Sequence, residues 1–232
     1  VQGAPNELRD RLALALDVDD LVEASRLARE LRPWFGVAKI GLELFSAAGP
    51  DAVLSISEEG YRVFLDLKLH DIPTTVGKAS RVLGALGVSY LTMHASGGVP
   101  MLRAGVDGVA EGAASAGLDP PVALAVTVLT SEAGAPMHVL RERVMAAIEA
   151  HCGGVLCAAT DVRAVKELGP SLLAVVPGIR PEGAPRHDQG RVGTPAQAFE
   201  AGADILVIGR AVTAAPDRTA AAAALVASIG QA

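Results

Sequence analysis

Aromatic side chains are scarce in this 232-residue chain: one Trp, two Tyr and four Phe. Any large core must therefore be aliphatic, and the 50% hydrophobic content is enough to build one. Cysteine is rarer still. Cys152 and Cys157 cannot define a disulfide framework, and with His151 they match no standard zinc spacing, so two buried free thiols are expected. No apolar run approaches the roughly 18–20 residues that span a bilayer. Residues 1–11 lack the apolar stretch of a secretion leader, and a cytoplasmic location is expected. A Lys/Arg block, a Walker loop and a Gly-rich dinucleotide fingerprint are also missing. With a formal net charge of −6, neither nucleic acid nor a membrane is the expected partner, and an anionic substrate has to be met by local positive charge.

What is present is an alternation. Short aliphatic runs end in turn residues and are followed by stretches of helical period. The runs are Leu12 to Leu16, Val37 to Gly41, Arg62 to Leu67, Tyr90 to His94, Val122 to Leu129, Gly154 to Cys157, Leu172 to Val176 and Ile205 to Ile208. Helical patterns begin near Asp19, with Asp19 or Asp20 as cap, and recur near 44–59, 73–86, 98–116, 137–150, 160–168, 195–201 and 211–229. Gly60, Gly87, Gly117, Gly169 and Gly202 stand where a glycine ends a helix. Strict alternation implies a parallel sheet, and nearly continuous apolar strands imply burial on both faces. Eight units in this length favour α/β architecture of one kind, a (β/α)8 TIM barrel filling residues 1–232 as one domain.

In such a barrel the chemistry collects at the C-terminal ends of the strands. Those ends carry Asp17, Lys39, then Asp66, Lys68 and Asp71, followed by His94, Thr127 to Thr130, Arg180, Gly209 and Arg210. Charges at the ends of buried strands are costly unless paired or used. Asp66 and Lys68 are two apart, so both can face the mouth. Gly209-Arg210 opens the last helix, a place suited to phosphate. Residues 177–193 form a long connection with Arg180, Arg186, Gln189 and Arg191, the length and composition of a lid over a phosphate. His94 reads as a structural histidine, and His70 is left out of the chemistry.

Asp66-Leu67-Lys68-Leu69-His70-Asp71-Ile72-Pro73-Thr74-Thr75-Val76 closely resembles the signature of the orotidine 5′-phosphate decarboxylase family. The likeness continues through Leu16-Asp17-Val18, Lys39-Ile40-Gly41, Thr92-Met93-His94-Ala95, Val126 to Ser131, Val176 to Arg180, Asp188-Gln189 and Ile208-Gly209-Arg210. Thr74 departs from it, standing where the family usually has Asn. The resemblance implies a homodimer that converts orotidine 5′-phosphate to UMP and CO2 without metal or organic cofactor. It implies Lys68 as proton donor and Asp66 beside the substrate carboxylate. Lys39 and Asp17 would hold the ribose and the charge array, Ile72 would line the pocket for CO2, and Thr130 would contact the pyrimidine. Asp71 and Thr75 would reach into the partner's site, while Arg180, Gln189, Gly209 and Arg210 would serve the phosphate.

Two other readings stay open. One is a Mg2+-dependent sugar-phosphate decarboxylase or aldolase with the same Asp-x-Lys-x-x-Asp core. The other is a catalytically silent barrel that binds nucleotides or a partner protein.

Overall fold

The structure, a computed structural model, describes residues 3–129, 136–180 and 193–229. The strands β1 (Leu12–Leu16), β2 (Val37–Gly41), β3 (Arg62–Leu69), β4 (Tyr90–His94), β5 (Val122–Val126), β6 (Gly154–Leu156), β7 (Leu173–Val176) and β8 (Ile205–Ile208) pair in sequence order. All pairs are parallel, and β8 closes on β1 through Leu12 opposite Leu206, Ala13 opposite Val207 and Leu14 opposite Ile208. The fold is a (β/α)8 TIM barrel.

A two-residue period divides each strand between two cores. On β1, Leu12, Leu14 and Leu16 point outward to the helices, while Ala13 and Ala15 point into the barrel. Val37, Phe64, Tyr90, Leu124 and Val175 share that interior. Phe64 and Tyr90 meet edge to face, with ring centroids 5.9 Å apart, so two of the few aromatics help to plug the barrel. The same parity sends Lys39, Asp66 and Thr92, the next inward positions on β2, β3 and β4, toward the C-terminal mouth.

Around the barrel lie α1 (Asn6–Arg9), α2 (Leu21–Leu31), α3 (Leu42–Ala48), α4 (Pro50–Glu58), α5 (Pro73–Gly84) and α6 (Gly98–Ser115). Then follow α7 (Met137–Glu149), α8 (Val162–Leu168), α9 (Pro195–Glu200), α10 (Arg210–Thr213) and α11 (Arg218–Ile229). Asp20 caps α2 by accepting the Glu23 N–H at 2.7 Å. Two expected helices are each divided. Gly49, at φ +58, and Pro50 separate α3 from α4, because a left-handed residue followed by proline cannot carry the helical hydrogen bonds through. Pro216 falls in the break between α10 and α11. Strand β5 stops at Val126 rather than Leu129, and β3 runs on to Leu69. Gly169 does not take the left-handed turn expected of it; its φ is −142.

Helices α5 and α6 pack with their backbones in close approach. A methyl group on Gly84 would lie 2.5 Å from the Val109 carbonyl oxygen, and one on Gly112 would collide with that of Arg81. This seating matters to the site because α5 starts directly behind Asp71-Ile72. Ile72 is extended, at ψ 150, as a residue before proline prefers, and Pro73 opens the helix at a position where its missing N–H costs nothing.

Candidate active site

The C-terminal mouth holds a cavity of about 210 Å³. One wall is a row of charges. Lys68 Nζ lies 2.7 Å from Asp66 Oδ2, the same oxygen lies 3.8 Å from Lys39 Nζ, and Lys39 Nζ lies 2.8 Å from Asp17 Oδ1. The order is cation, anion, cation, anion, so each inner charge is flanked by its opposite. Asp66 and Lys39 are buried, where such pairing is needed to offset the cost of desolvation. Asp17 and Lys68 are more open, at the solvent edge of the row. Glycine at position 41 leaves room for the pair above it: a methyl there would stand 3.1 Å from Lys39 Nζ and 3.3 Å from Asp17 Oδ1.

Lys68 is presented by an irregularity in β3. Between the pairs Leu65–Leu91 and Leu69–Met93, β3 advances four residues while β4 advances two. Lys68 sits in this bulge with φ +50, a conformation that costs a non-glycine residue on the order of 1–3 kcal/mol. Bulges of this kind re-aim side chains next to functional sites. The Lys68 N–H donates to Thr92 Oγ1 at 2.9 Å, and Thr92 Oγ1 donates to Asp66 Oδ1 at 2.9 Å. Thr92 is fully buried.

The floor is apolar, formed by Ala15, Val126, Leu156 and Val207 from the barrel interior, with Cys157 beside them. Pro177, Gly178, Arg180, Gly209 and Arg210 complete the lining, and a methyl group on Gly209 would stand 3.9 Å from Asp17 Oδ2, at the end of the charge row. Arg180 is buried; its backbone N–H donates to the Gly193 carbonyl at 3.1 Å. Gly209 and Arg210 come from the junction of β8 and α10. The cavity therefore offers a row of charges, an apolar floor and two arginines, a residue type suited to binding an anion.

Of the residues singled out from sequence, Asp17, Lys39, Asp66, Lys68, Arg180, Gly209 and Arg210 line this one cavity. Asp71, Ile72 and Thr75 do not line it within their own chain. All three are exposed on the rim, and Asp71 Oδ1 accepts the Ile72 N–H at 2.6 Å. Thr130 and Gln189, with Arg186 and Arg191 of the expected lid, lie outside the described residues. Thr127 turns away from the cavity: its hydroxyl donates to the Leu156 carbonyl at 2.9 Å. His94 packs against His70 with ring centroids 5.5 Å apart, and neither lines the cavity. Neither cysteine is in a disulfide, and both are buried. Sequence reasoning quoted Thr92 within a motif but gave neither it nor the apolar floor a role in the site. The available signal was parity, since Thr92 is the inward position two beyond Tyr90 on a strand beside Asp66.

Comparison with known proteins follows the same lines. The family model described as orotidine 5'-phosphate decarboxylase / HUMPS family matches residues 10–225. The chain is 47% identical over 234 residues to the orotidine 5'-phosphate decarboxylase of Moorella thermoacetica, an alignment that covers 95% of this chain and 92% of that protein. It is 45% identical over 231 residues to the one from Anaeromyxobacter dehalogenans, covering 95% and 98%. Among solved structures, orotidine 5'-phosphate decarboxylase from Lactobacillus acidophilus is similar with a TM-score of 0.77 and 34% identity, over 95% of this chain and 99% of that one.

Proposed function

The chain belongs to the orotidine 5′-phosphate decarboxylase / HUMPS family, and we propose that within it this protein decarboxylates orotidine 5′-phosphate to UMP, with Lys68 as the proton donor. The observation that carries the reading is the Lys68–Asp66–Lys39–Asp17 row along one wall of a cavity with an apolar floor.

The chemistry calls for such a row. Breaking the bond from C6 of the pyrimidine to the carboxylate leaves the electron pair on C6, in the plane of the ring. That orbital is orthogonal to the π system, so the ring carbonyls cannot delocalise it. Without an electron sink, the carbanion has to be stabilised by preorganised charge. The Lys68 ammonium supplies that charge and then gives a proton to C6; the neutral amine regains its proton from water. One unit charge about 4 Å away is worth roughly 4 kcal/mol at an effective dielectric near 20. Enzymatic barrier reductions run to about 8–23 kcal/mol, so the rest falls to fixed geometry and to binding energy from the phosphate end.

In this reading Asp66 faces the substrate carboxylate, and Lys39 and Asp17 hold the ribose. Arg180, Gly209 and Arg210 take the phosphate, with Gln189 assigned to the same end and Thr130 to the pyrimidine. Asp71 and Thr75 complete the site of a second copy across a homodimer, and Ile72, next to Asp71, lines the pocket for CO2; the exposure of Asp71 and Thr75 on the rim of their own barrel supports their assignment. No metal and no organic cofactor takes part. Two buried cysteines outside any disulfide fit a reducing cytoplasm, and among the described residues no helix is long and apolar enough to cross a membrane.

The Mg2+-dependent alternative is disfavoured by the two ammonium groups beside Asp66, Lys68 at 2.7 Å and Lys39 at 3.8 Å, which would oppose a divalent cation there. The test is the ultraviolet absorbance change of orotidine 5′-phosphate, followed with and without excess EDTA. Equal, rapid loss in both is expected. Loss only without the chelator would transfer the protein to the metal-dependent class, and no loss in either would leave a binding barrel.

A further inference from the structure

We propose that Thr92 is a positioning residue for proton delivery, a single buried hydroxyl that fixes both the carboxylate of Asp66 and the backbone of Lys68. The inference rests on the decarboxylase reading and concerns how Lys68 is held rather than what it does.

A hydroxyl has one proton and two lone pairs. Paired with lysines on either side, Asp66 serves as a carboxylate and has no proton to give, so the Thr92 proton goes to Asp66 Oδ1, at 2.9 Å. A lone pair is then left to accept the Lys68 N–H, also at 2.9 Å. Both hydrogen bonds are needed locally. The bulge takes Lys68 out of the regular β3–β4 register, and without the hydroxyl its N–H would lack this acceptor at a left-handed backbone position. With Oδ1 held by Thr92, Oδ2 is aimed at Lys68 Nζ and Lys39 Nζ, 2.7 and 3.8 Å away. Thr92 does not line the cavity, so it acts on the reaction only through these two neighbours. A misplacement of about 1 Å in a reacting group can cost on the order of 100-fold in rate.

Three proteins test this: wild type, Thr92→Val, which keeps the shape and removes the hydroxyl, and Thr92→Ser, which keeps the hydroxyl. The expected result for Thr92→Val is a fall in kcat on the order of 100-fold with KM little changed, because the phosphate-end contacts are untouched. Thr92→Ser should restore most of kcat. In hydrogen exchange, the Lys68 amide should exchange faster in Thr92→Val than in wild type. Thr92→Ala replaces Thr92→Val if the latter does not fold. An active wild type matched in kcat by the hydroxyl-free variant would overturn this inference alone, as would a Thr92→Ser protein as impaired as Thr92→Val. A wild type without turnover would overturn the decarboxylase reading and this inference with it.

Discussion

Lys68 carries two burdens that are normally kept apart. Its ammonium lies in an ion pair with a buried carboxylate, and its backbone occupies a conformation better suited to glycine. Both are costs to the fold that give no packing in return, which is why they mark function. Lys68→Ala should therefore lose nearly all turnover while keeping a cooperative thermal transition, measured by circular dichroism alongside the ultraviolet assay. Wild-type-like rates in that variant would remove the proton-donor assignment. Cys152 gives a residue-scale prediction of another kind. Burial pushes its thiol from an ordinary 9.0 up to about 12. The folded chain thus keeps a proton that the unfolded chain releases above pH 9. The stability linked to this group is intact below that pH and is lost progressively between 9 and about 12. At pH 8, Cys152 should resist an alkylating reagent in the native protein and react promptly in denaturant, as mass spectrometry of the labelled peptide would report.

At the scale of elements, the contact between α5 and α6 decides where the Asp71-Ile72 rim projects. Replacing a helical glycine by alanine normally gains up to about 1 kcal/mol. At Gly112 that gain is opposed by a collision with the Arg81 carbonyl, part of a backbone that cannot rotate away. Overpacking costs typically about 1–3 kcal/mol, so Gly112→Ala should be destabilising despite its better propensity. A lowered urea midpoint at unchanged slope is the expected reading; a raised midpoint would show that the helices separate freely.

At the scale of the whole molecule, each barrel carries Lys68 in its own cavity and Asp71 on its outer rim. If the proposed homodimer shares its sites, Lys68→Ala and Asp71→Ala proteins should each be nearly inactive alone. Mixed and allowed to exchange subunits, they should recover up to about a quarter of wild-type activity, because half of the dimers in a statistical mixture are hybrids with one intact site each. No recovery despite demonstrated exchange would place Asp71 in its own subunit's chemistry.

The order of the elements was legible in the sequence, since hydrophobic period and turn residues are local properties. Leu12 to Leu16 and Ile205 to Ile208 read as strands from their own residues, and Asp17, Lys39, Asp66, Lys68 and Arg210 stood out as charges at the ends of apolar runs. Helix breaks were less legible: the 44–59 pattern continues across Gly49-Pro50 because an apolar face can outlast the backbone that carries it. The closed register alone decided the rest. Thr92 gained its role only when β4 was laid beside β3 with two residues of β3 looped out, and the apolar floor was assembled from Ala15, Val126, Leu156 and Val207, which lie far apart in the chain. A residue's chemistry is written in its side chain, whereas its partners are set by strand pairing and barrel closure, which no local stretch of sequence contains.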